Sequence, residues 1–240
     1  MKKYYKISGL TVEMESFGKT DEQAEQYRIF DSSSVDIVIN SNYDYKKINE
    51  KFAQATQDSC EYLSTGSSFY RQLIKFNGIM LHSSAVVVDD VAYLFTAPCG
   101  TGKSTHTALW LSEFDGAYIL NDDKPAIRIE EGGVFAYGTP WSGKTAQNVD
   151  KRVRLGGVCL LSRGEKNEIC RIGGKEAIFA ILSQTLRPRD TESINQVLSL
   201  IEKIMAAVPV WSLKCNMNPD AAHVSFEAMS AGAKEAFGAN

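Results

Sequence analysis

Residues 97–105 read APCGTGKST, and their types and spacing could hold a phosphate group. Pro98, Cys99, Gly100, Thr101 and Gly102 form a curl whose backbone N–H groups can turn toward an anion. Lys103, Ser104 and Thr105 would open a helix whose positive end faces the same point. Lys103 supplies a point charge for the β- and γ-phosphates of a nucleotide, and the Ser104 hydroxyl is placed to ligate Mg²⁺. The familiar form of this loop has a glycine where Ala97 stands. Alanine is tolerated there if it keeps a negative φ, with Pro98 stiffening the turn. Gly100 and Gly102, which must approach the phosphate, are both present.

Asp122 and Asp123 follow one strand later, in LNDDKP. Phosphoryl transfer needs a metal-holding carboxylate and a base for the acceptor hydroxyl, and this pair offers both, with the assignment between them open. The same residues are good turn chemistry. A right-handed crossover from the loop's strand through the helix is expected to bring AYIL, residues 117–120, alongside that strand. His82 enters by register. With Asp89-Asp90 as a two-residue hairpin turn, Val88 pairs with Val91, and continuing the ladder puts His82 opposite Ala97, beside the loop entrance. A second hairpin, with Gly132-Gly133 as its turn, would carry Ser142 opposite Asp123 and return GTPWSGKT to the acidic edge. Lys144 is then a candidate second cation for nucleotide phosphates or substrate, and Trp141 either a wall of the site or a core side chain. His106 and His223 are expected on helices and carry no assigned chemistry. Arg187 and Arg189 read as an exposed loop.

The elements needed to position these residues can be read along the chain. Residues 1–76 read as a small strand-rich N-terminal lobe, with short runs in YYKISGLTVEME, QYRIF and VDIVIN. Residues 77–240 read as the nucleotide-binding domain. IMLHSSAVVV and VAYLFTA are strands, KSTHTALWLSEF a helix, AIRIEE, VFAYG, VRLGGVCLLS and EICRI strands. KEAIFAILSQT and ESINQVLSLIEKIMAAV have helical spacing, PVWSLKC is a strand, and PDAAHVSFEAMS a closing helix. Hairpins combined with a strand-loop-helix unit predict a mixed α/β (α+β) domain and not an all-parallel sheet.

Composition narrows the class. The 240 residues are 44% hydrophobic and 23% charged, as in an ordinary folded protein. A net charge of -3 gives no reason to expect a nucleic acid or an acidic membrane as partner. The five cysteines are scattered without a C-x-x-C pair, which argues against a disulfide framework or zinc site and fits a reducing compartment. MKKYYKISGL lacks the apolar core of a signal peptide, and no apolar run approaches bilayer-spanning length. The expectation is a cytoplasmic protein, and the sequence allows a homo-oligomer.

LHSSAVVVDDVAYLFTAPCGTGKST followed by LNDDKPAI resembles the HPr kinase/phosphorylase family and its relatives with the phosphoenolpyruvate carboxykinase-like P-loop fold, including small HPr-kinase-related serine kinases. The segment GGVFAYGTPWSGKT is also similar to the stretch after the acidic pair in the carboxykinases. Together these span about a quarter of the chain, Leu81 to Thr145. The resemblance implies a PEP carboxykinase/HPr kinase-like P-loop domain and an ATP- and Mg²⁺-dependent kinase acting on a hydroxyl, foremost serine in a protein, peptide or small molecule. It implies that Lys103 binds phosphate, Ser104 ligates Mg²⁺, Asp123 acts on the acceptor proton and also reaches the metal, Asp122 is a metal or supporting partner, and His82 supports the site. The further glutamate of HPr kinases and their later Gly-Arg-Asn segment are not found here. These absences are the best support for an alternative to the kinase reading, a nucleotide-binding regulatory or partner module without transfer activity. A carboxykinase-like enzyme would need several arginines near Lys144, for which Arg152 and Arg154 are the candidates.

Overall fold

The computed structural model describes residues 2–30, 34–40, 50 and 56–238; the other residues of the expected N-terminal lobe lie outside these. The chain opens with a hairpin of β1 (Lys3–Ile7) and β2 (Leu10–Met14). Ser8 and Gly9 both take positive φ at its tip, as a two-residue turn requires. β3 (Arg28–Ile29) adds to β1, and β4 (Ile37–Ile39) adds parallel to β2, giving the order β3-β1-β2-β4. Alternation buries Tyr5, Ile7, Val12 and Met14 on one face. They share a core with Phe69, Tyr70 and Leu73 of helix α2 (Gln57–Leu73).

This lobe is less strand-rich than its sequence suggests. A 17-residue helix, α2, follows the expected strand runs in a stretch for which no element was expected, and the short helix α1 (Gly18–Ala24) packs on it. The Thr56 hydroxyl caps α2 by accepting from the Ser59 N–H at 3.1 Å. The lobe's core also takes in Met80, Ala126, Tyr137 and Trp141, so packing runs across residue 76.

Among the described residues the larger sheet has nine strands. β6 (Ser83–Val88) and β7 (Val91–Thr96) form the expected hairpin, with Val88 opposite Val91 and Ser83 opposite Thr96. Asp89 and Asp90 both take positive φ in its turn. Both faces are buried, with strict period-2 division. Ala85, Val87, Ala92 and Leu94 pack with helices α4 (Gly174–Ser183) and α5 (Thr191–Ala207). Val86, Val88, Tyr93 and Phe95 pack with α3 (Lys103–Glu113) and α6 (Asp220–Gly238). α6 runs well beyond the helix expected from PDAAHVSFEAMS. The arrangement is a mixed α/β fold with helices on both faces of the sheet.

Three strand expectations need correction. IMLHSSAVVV is not one strand: β5 (Gly78–Met80) pairs with β9 (Ala126–Glu130), and the chain turns at Leu81-His82 before β6 begins. AYIL becomes β8 (Tyr118–Asn121), which does not lie beside β7 but pairs antiparallel with β6. The hairpin partner β6 already fills one edge of β7, and β11 (Arg152–Arg163) takes the other in parallel. The crossover therefore skips one strand, with β8 still running parallel to β7. Finally, β10 (Gly133–Tyr137) pairs Gly133 with Glu130, so the second turn is Glu131-Gly132. Pairing ends at Tyr137 opposite Ala126, and Ser142 is not carried opposite Asp123 by a ladder.

β11 branches the sheet. Its first three residues pair with β10, and β13 (Val210–Cys215) takes over that edge from Val158, with β12 (Glu168–Ile172) outermost. Among the described residues no helix is long and apolar enough to cross a membrane.

Glu61 gives the small lobe a pH-dependent stability. It is buried on α2, the Thr20 hydroxyl donates to its Oε2, and its Oε1 has no hydrogen-bond partner among the described residues. Burial pushes its pKa up from 4.5 to about 7, with the Thr20 hydroxyl and the Phe17 N–H offsetting part of the rise. Between those two values the folded state holds a proton that the unfolded chain has released, so stability falls as pH rises across that window. Glu61→Gln is expected to raise Tm by about 3 °C at pH 8 and to change it little at pH 4. Thermal melts at the two pH values check this.

Candidate functional site

The loop after β7 curls as its sequence demands. Gly100 and Gly102 have φ of 78° and 123°, a region that side chains with a Cβ rarely enter. Ala97 is absent from the non-glycine residues with positive φ, and it is buried in the sheet's core, so alanine fits there. Both the Thr101 N–H and its hydroxyl donate to the Pro98 carbonyl, at 3.3 and 2.9 Å. α3 starts at Lys103 with no side-chain cap at Gly102, so its first N–H groups face outward from the helix end. Ser104 and Thr105 are exposed there, as are Pro98 and Cys99. Lys103 Nζ donates to the Ala97 carbonyl at 3.0 Å. Burial pulls its pKa below the usual lysine range, although Cys99, Asp123 and Asp122 oppose that shift.

Asp122 and Asp123 stand at the end of β8, against the first turns of α3. The Asn121 side chain holds the turn, its Oδ1 accepting from the N–H groups of Asp123 and Lys124 at 2.9 and 2.8 Å. The turn reading of these residues is therefore met. Ser84 donates to Asp122 Oδ1 at 2.6 Å and shares a hydrogen bond with Thr107 of α3 at 2.9 Å. Asp122 is thus tied to the helix that carries Lys103 and Ser104.

Asp123 lies between the His82 imidazole and the Lys124 ammonium. His82 Nε2 is 3.2 Å from Oδ1, and Lys124 Nζ pairs with Oδ2. The other His82 nitrogen, Nδ1, faces Gln184 Oε1 at 3.2 Å, and the His82 backbone N–H donates to the Gln184 carbonyl at 2.8 Å. Burial raises the Asp123 pKa, but His82 and Lys124 outweigh it and hold the carboxyl below the ordinary range. The hairpin register placed His82 beside the loop entrance, and its carbonyl accepts from the Thr96 hydroxyl at 2.8 Å. Its side chain reaches the acidic pair.

The segment after β10 does return to Asp123, as a loop. A Cβ built on Gly143 would stand 2.9 Å from the Asp123 Cβ, and the Asp122 N–H donates to the Gln147 carbonyl at 3.1 Å. Trp141 is a core residue: it is buried, stacks on Phe69 at 5.0 Å, and donates from Nε1 to Thr65 at 3.2 Å. Lys144 is exposed on this loop.

Magnesium fits the donor set. Asp122, Asp123 and the Ser104 hydroxyl offer only hard oxygen atoms, the chemistry Mg²⁺ takes together with phosphate oxygens and water. Among the described residues there is no cluster of three or more His, Cys, Asp or Glu side chains suited to a metal, so these oxygens would need the phosphates to complete a coordination shell.

Beside the loop lies a cavity of about 470 Å³. Its walls are Gly100–Gly102, the α3 residues Thr105 and Leu109, the end of β11 with Leu161 and Arg163, and Asn216-Met217. Arg163 Nη2 donates to the Gly100 carbonyl at 2.7 Å and Nε to the Thr101 carbonyl at 3.4 Å.

No protein-family model matches the chain, and no curated protein matches it in sequence. Among solved structures it is similar to the HPr(Ser) kinase/phosphatase from Coxiella burnetii. The identity is 12%, the TM-score 0.38, and the alignment covers 65% of this chain and 97% of that one. The chemistry of the site rests on its own geometry.

Several residues now near the site carried no signal in isolation. Lys124 sits next to the acidic pair in sequence and could have been found from that adjacency. Arg163, Gln184 and Ser84 meet the site only through the sheet. His106 and His223 have structural roles. His106 Nε2 is 3.1 Å from Ser225 Oγ, and burial lowers its pKa to about 4. His223 pairs with Glu113 at 2.9 Å. Arg187 and Arg189 are exposed in a loop. Arg152 pairs with Glu130 and lies over Phe135, and Arg154 lies over Phe237. Both candidate arginines of a carboxykinase-like anion site are thus engaged elsewhere.

Proposed function

We propose that this protein is an ATP- and Mg²⁺-dependent kinase that transfers the γ-phosphoryl group to a hydroxyl, with serine as the acceptor favoured by the sequence resemblance. The observation that carries the reading is the convergence at one sheet edge. The glycine loop opens onto a helix whose Thr107 is bonded through Ser84 to Asp122, and Asp123 stands beside it, held by His82 and Lys124. Lys103 lies within electrostatic reach of both carboxylates.

In this reading the loop amides and Lys103 hold the β- and γ-phosphates, and the cavity walled by Leu109, Leu161 and Met217 receives the nucleoside. Ser104, Asp122 and Asp123 would hold a Mg²⁺ ion, which would supply neutralisation of the charge that develops on the leaving group. The acceptor oxygen bonds to the γ-phosphorus as the bond to the β–γ bridging oxygen breaks, and ADP leaves with that electron pair. The acceptor's proton passes to Asp123, which burial and His82 keep oriented and the lowered pKa keeps ionised. His82 and Gln184 act as supports, fixing the carboxylate's direction.

Calorimetric titration of Mg·ATP into the purified chain tests the reading. Saturable one-site binding is expected, weakened about 5- to 20-fold in Arg163→Ala through loss of the side chain that holds the Gly100 and Thr101 carbonyls. A folded protein that binds no Mg·ATP would overturn it.

A further inference from the structure

Beside Asp123 the N-terminal lobe meets the loop after β10, and cationic side chains gather there. Lys19, on α1, donates from Nζ to the Gly143 carbonyl and lies 4.5 Å from the centre of the Tyr62 ring. Lys124, the Asp123 partner, has its Nζ 6.0 Å from the same ring centre. Tyr62 is itself fixed here, its hydroxyl accepting from the Gly143 N–H at 2.9 Å. Lys144, next along the loop, is exposed and close enough to act electrostatically on Lys19. Two ammonium groups thus lie over one neutral ring beside the carboxylate that would take the acceptor's proton, and a third, Lys144, is within electrostatic reach of them.

Such a gathering is costly without anions to face it. Of the two carboxylates that Lys19 feels, Asp123 is already paired with Lys124, and Asp58 accepts from the Lys19 backbone N–H at 2.8 Å at the start of α1. Burial, with the neighbouring Lys124 and Lys144, lowers the Lys19 pKa, and by side-chain count three lysines stand here against two carboxylates that are both already engaged. The cationic face is bounded. One turn further along α1, Glu22 and Glu25 line a groove with Ala146 and Asn148. The lobe's contact with the loop is also extensive. Gln23 Oε1 accepts from Ser142 Oγ at 3.0 Å, and Gln26 donates to Asn148 Oδ1 at 2.7 Å while accepting from the Asp150 N–H at 3.0 Å. These bonds hold Lys19 in a set place relative to Asp123.

Resting on the kinase reading above, we infer that Lys19, Lys124 and Lys144 recognise the acceptor, and that the acceptor is a hydroxyl compound carrying carboxylate groups beside the hydroxyl. The N-terminal lobe is then a specificity element. An acidic peptide around a serine and a free hydroxy-amino acid share this chemistry.

Titration of two five-residue peptides separates the cases, one with a serine flanked by two glutamates on each side, the other by glutamines. L-serine is the third probe. Each is titrated at low salt into the chain alone and into the chain saturated with a non-hydrolysable Mg·ATP analogue. The acidic peptide or L-serine is expected to bind at least ~10-fold more tightly than the glutamine peptide. Lys19→Ala/Lys144→Ala should abolish that preference while changing analogue affinity by less than about 2-fold. Lys144→Ala alone, an exposed change that leaves the fold intact, should reduce the preference about 3-fold. Tighter binding by the peptide identifies a polypeptide source, and tighter binding by L-serine a small-molecule one. Equal affinity for the acidic and glutamine peptides with no binding of L-serine overturns the inference, as does a preference that survives in the double variant. Loss of analogue affinity in the double variant overturns it too, by assigning the lysines to the nucleotide. Should the wild type bind no analogue, the kinase reading falls, and the titrations into the chain alone still decide whether this face selects carboxylates.

Discussion

Asp123→Asn is expected to lower phosphoryl transfer by roughly 10²–10⁴-fold, the range lost when a positioned proton acceptor is removed. The substitution keeps the shape and leaves a side chain that can still hydrogen-bond His82 and Lys124, so the far-UV spectrum and Tm should change little. In the kinase reading, what it removes is the negative charge and the basic lone pair that would stand beside the γ-phosphate. The pKa of Asp123 is held low by His82 and Lys124 against the opposing effect of burial. The base is therefore ionised throughout the neutral range, and the acid limb of the wild-type pH–rate profile should fall below the ordinary carboxylate range. Release of labelled phosphate from γ-labelled ATP, with and without serine-containing acceptors, measures the effect. Undiminished transfer by Asp123→Asn would remove Asp123 from the chemistry. Mg·ATP binding by the wild type with no acceptor-dependent ADP release would favour the regulatory-module alternative.

Lys103→Ala should weaken Mg·ATP binding by roughly 30- to 1000-fold. The side chain is a half-buried ammonium at the start of α3, within reach of the loop carbonyl of Ala97 and both aspartates. In the nucleotide-bound state it would give up the Ala97 carbonyl for charge-assisted hydrogen bonds to phosphate, which are about twice as strong as neutral ones. Deleting one partner of such a pair in a partly desolvated site costs about 2–4 kcal/mol. Alanine is the best helix former, so the first turn of α3 should persist and the loss should read out as affinity and not as unfolding. Calorimetry on the wild type and the variant gives the comparison directly. Equal affinities would mean that the loop does not hold phosphate.

Both predictions concern residues that the sequence singled out, and the reason is physical. The loop's function depends on backbone curl and helix end, which Gly100, Gly102 and the apolar periodicity around them specify locally. The acidic pair is a turn encoded by neighbouring residues, with Asn121 closing it. His82 was reachable because a two-residue turn leaves one register for the hairpin, and period-2 burial on both faces locks that register. The second hairpin was misjudged by one turn position because two successive glycines both tolerate positive φ, here 89° and 138°. Nothing local says which of them opens the strand.

The sequence by itself determined the curl of the glycine loop, the helix behind it, the Asp-Asp turn and the nearness of His82, because each follows from steric and hydrogen-bonding rules acting over a few residues or across one tight turn. The tertiary structure alone decided that β8 lies outside β6, that Trp141 belongs to the core, that Arg163 holds the loop, and that the N-terminal lobe presents Lys19 to the acidic edge. Those outcomes depend on which strand edges are already filled and on contacts between segments more than a hundred residues apart, such as Lys19 with Gly143. Such contacts are chosen by packing, which no short stretch of sequence encodes.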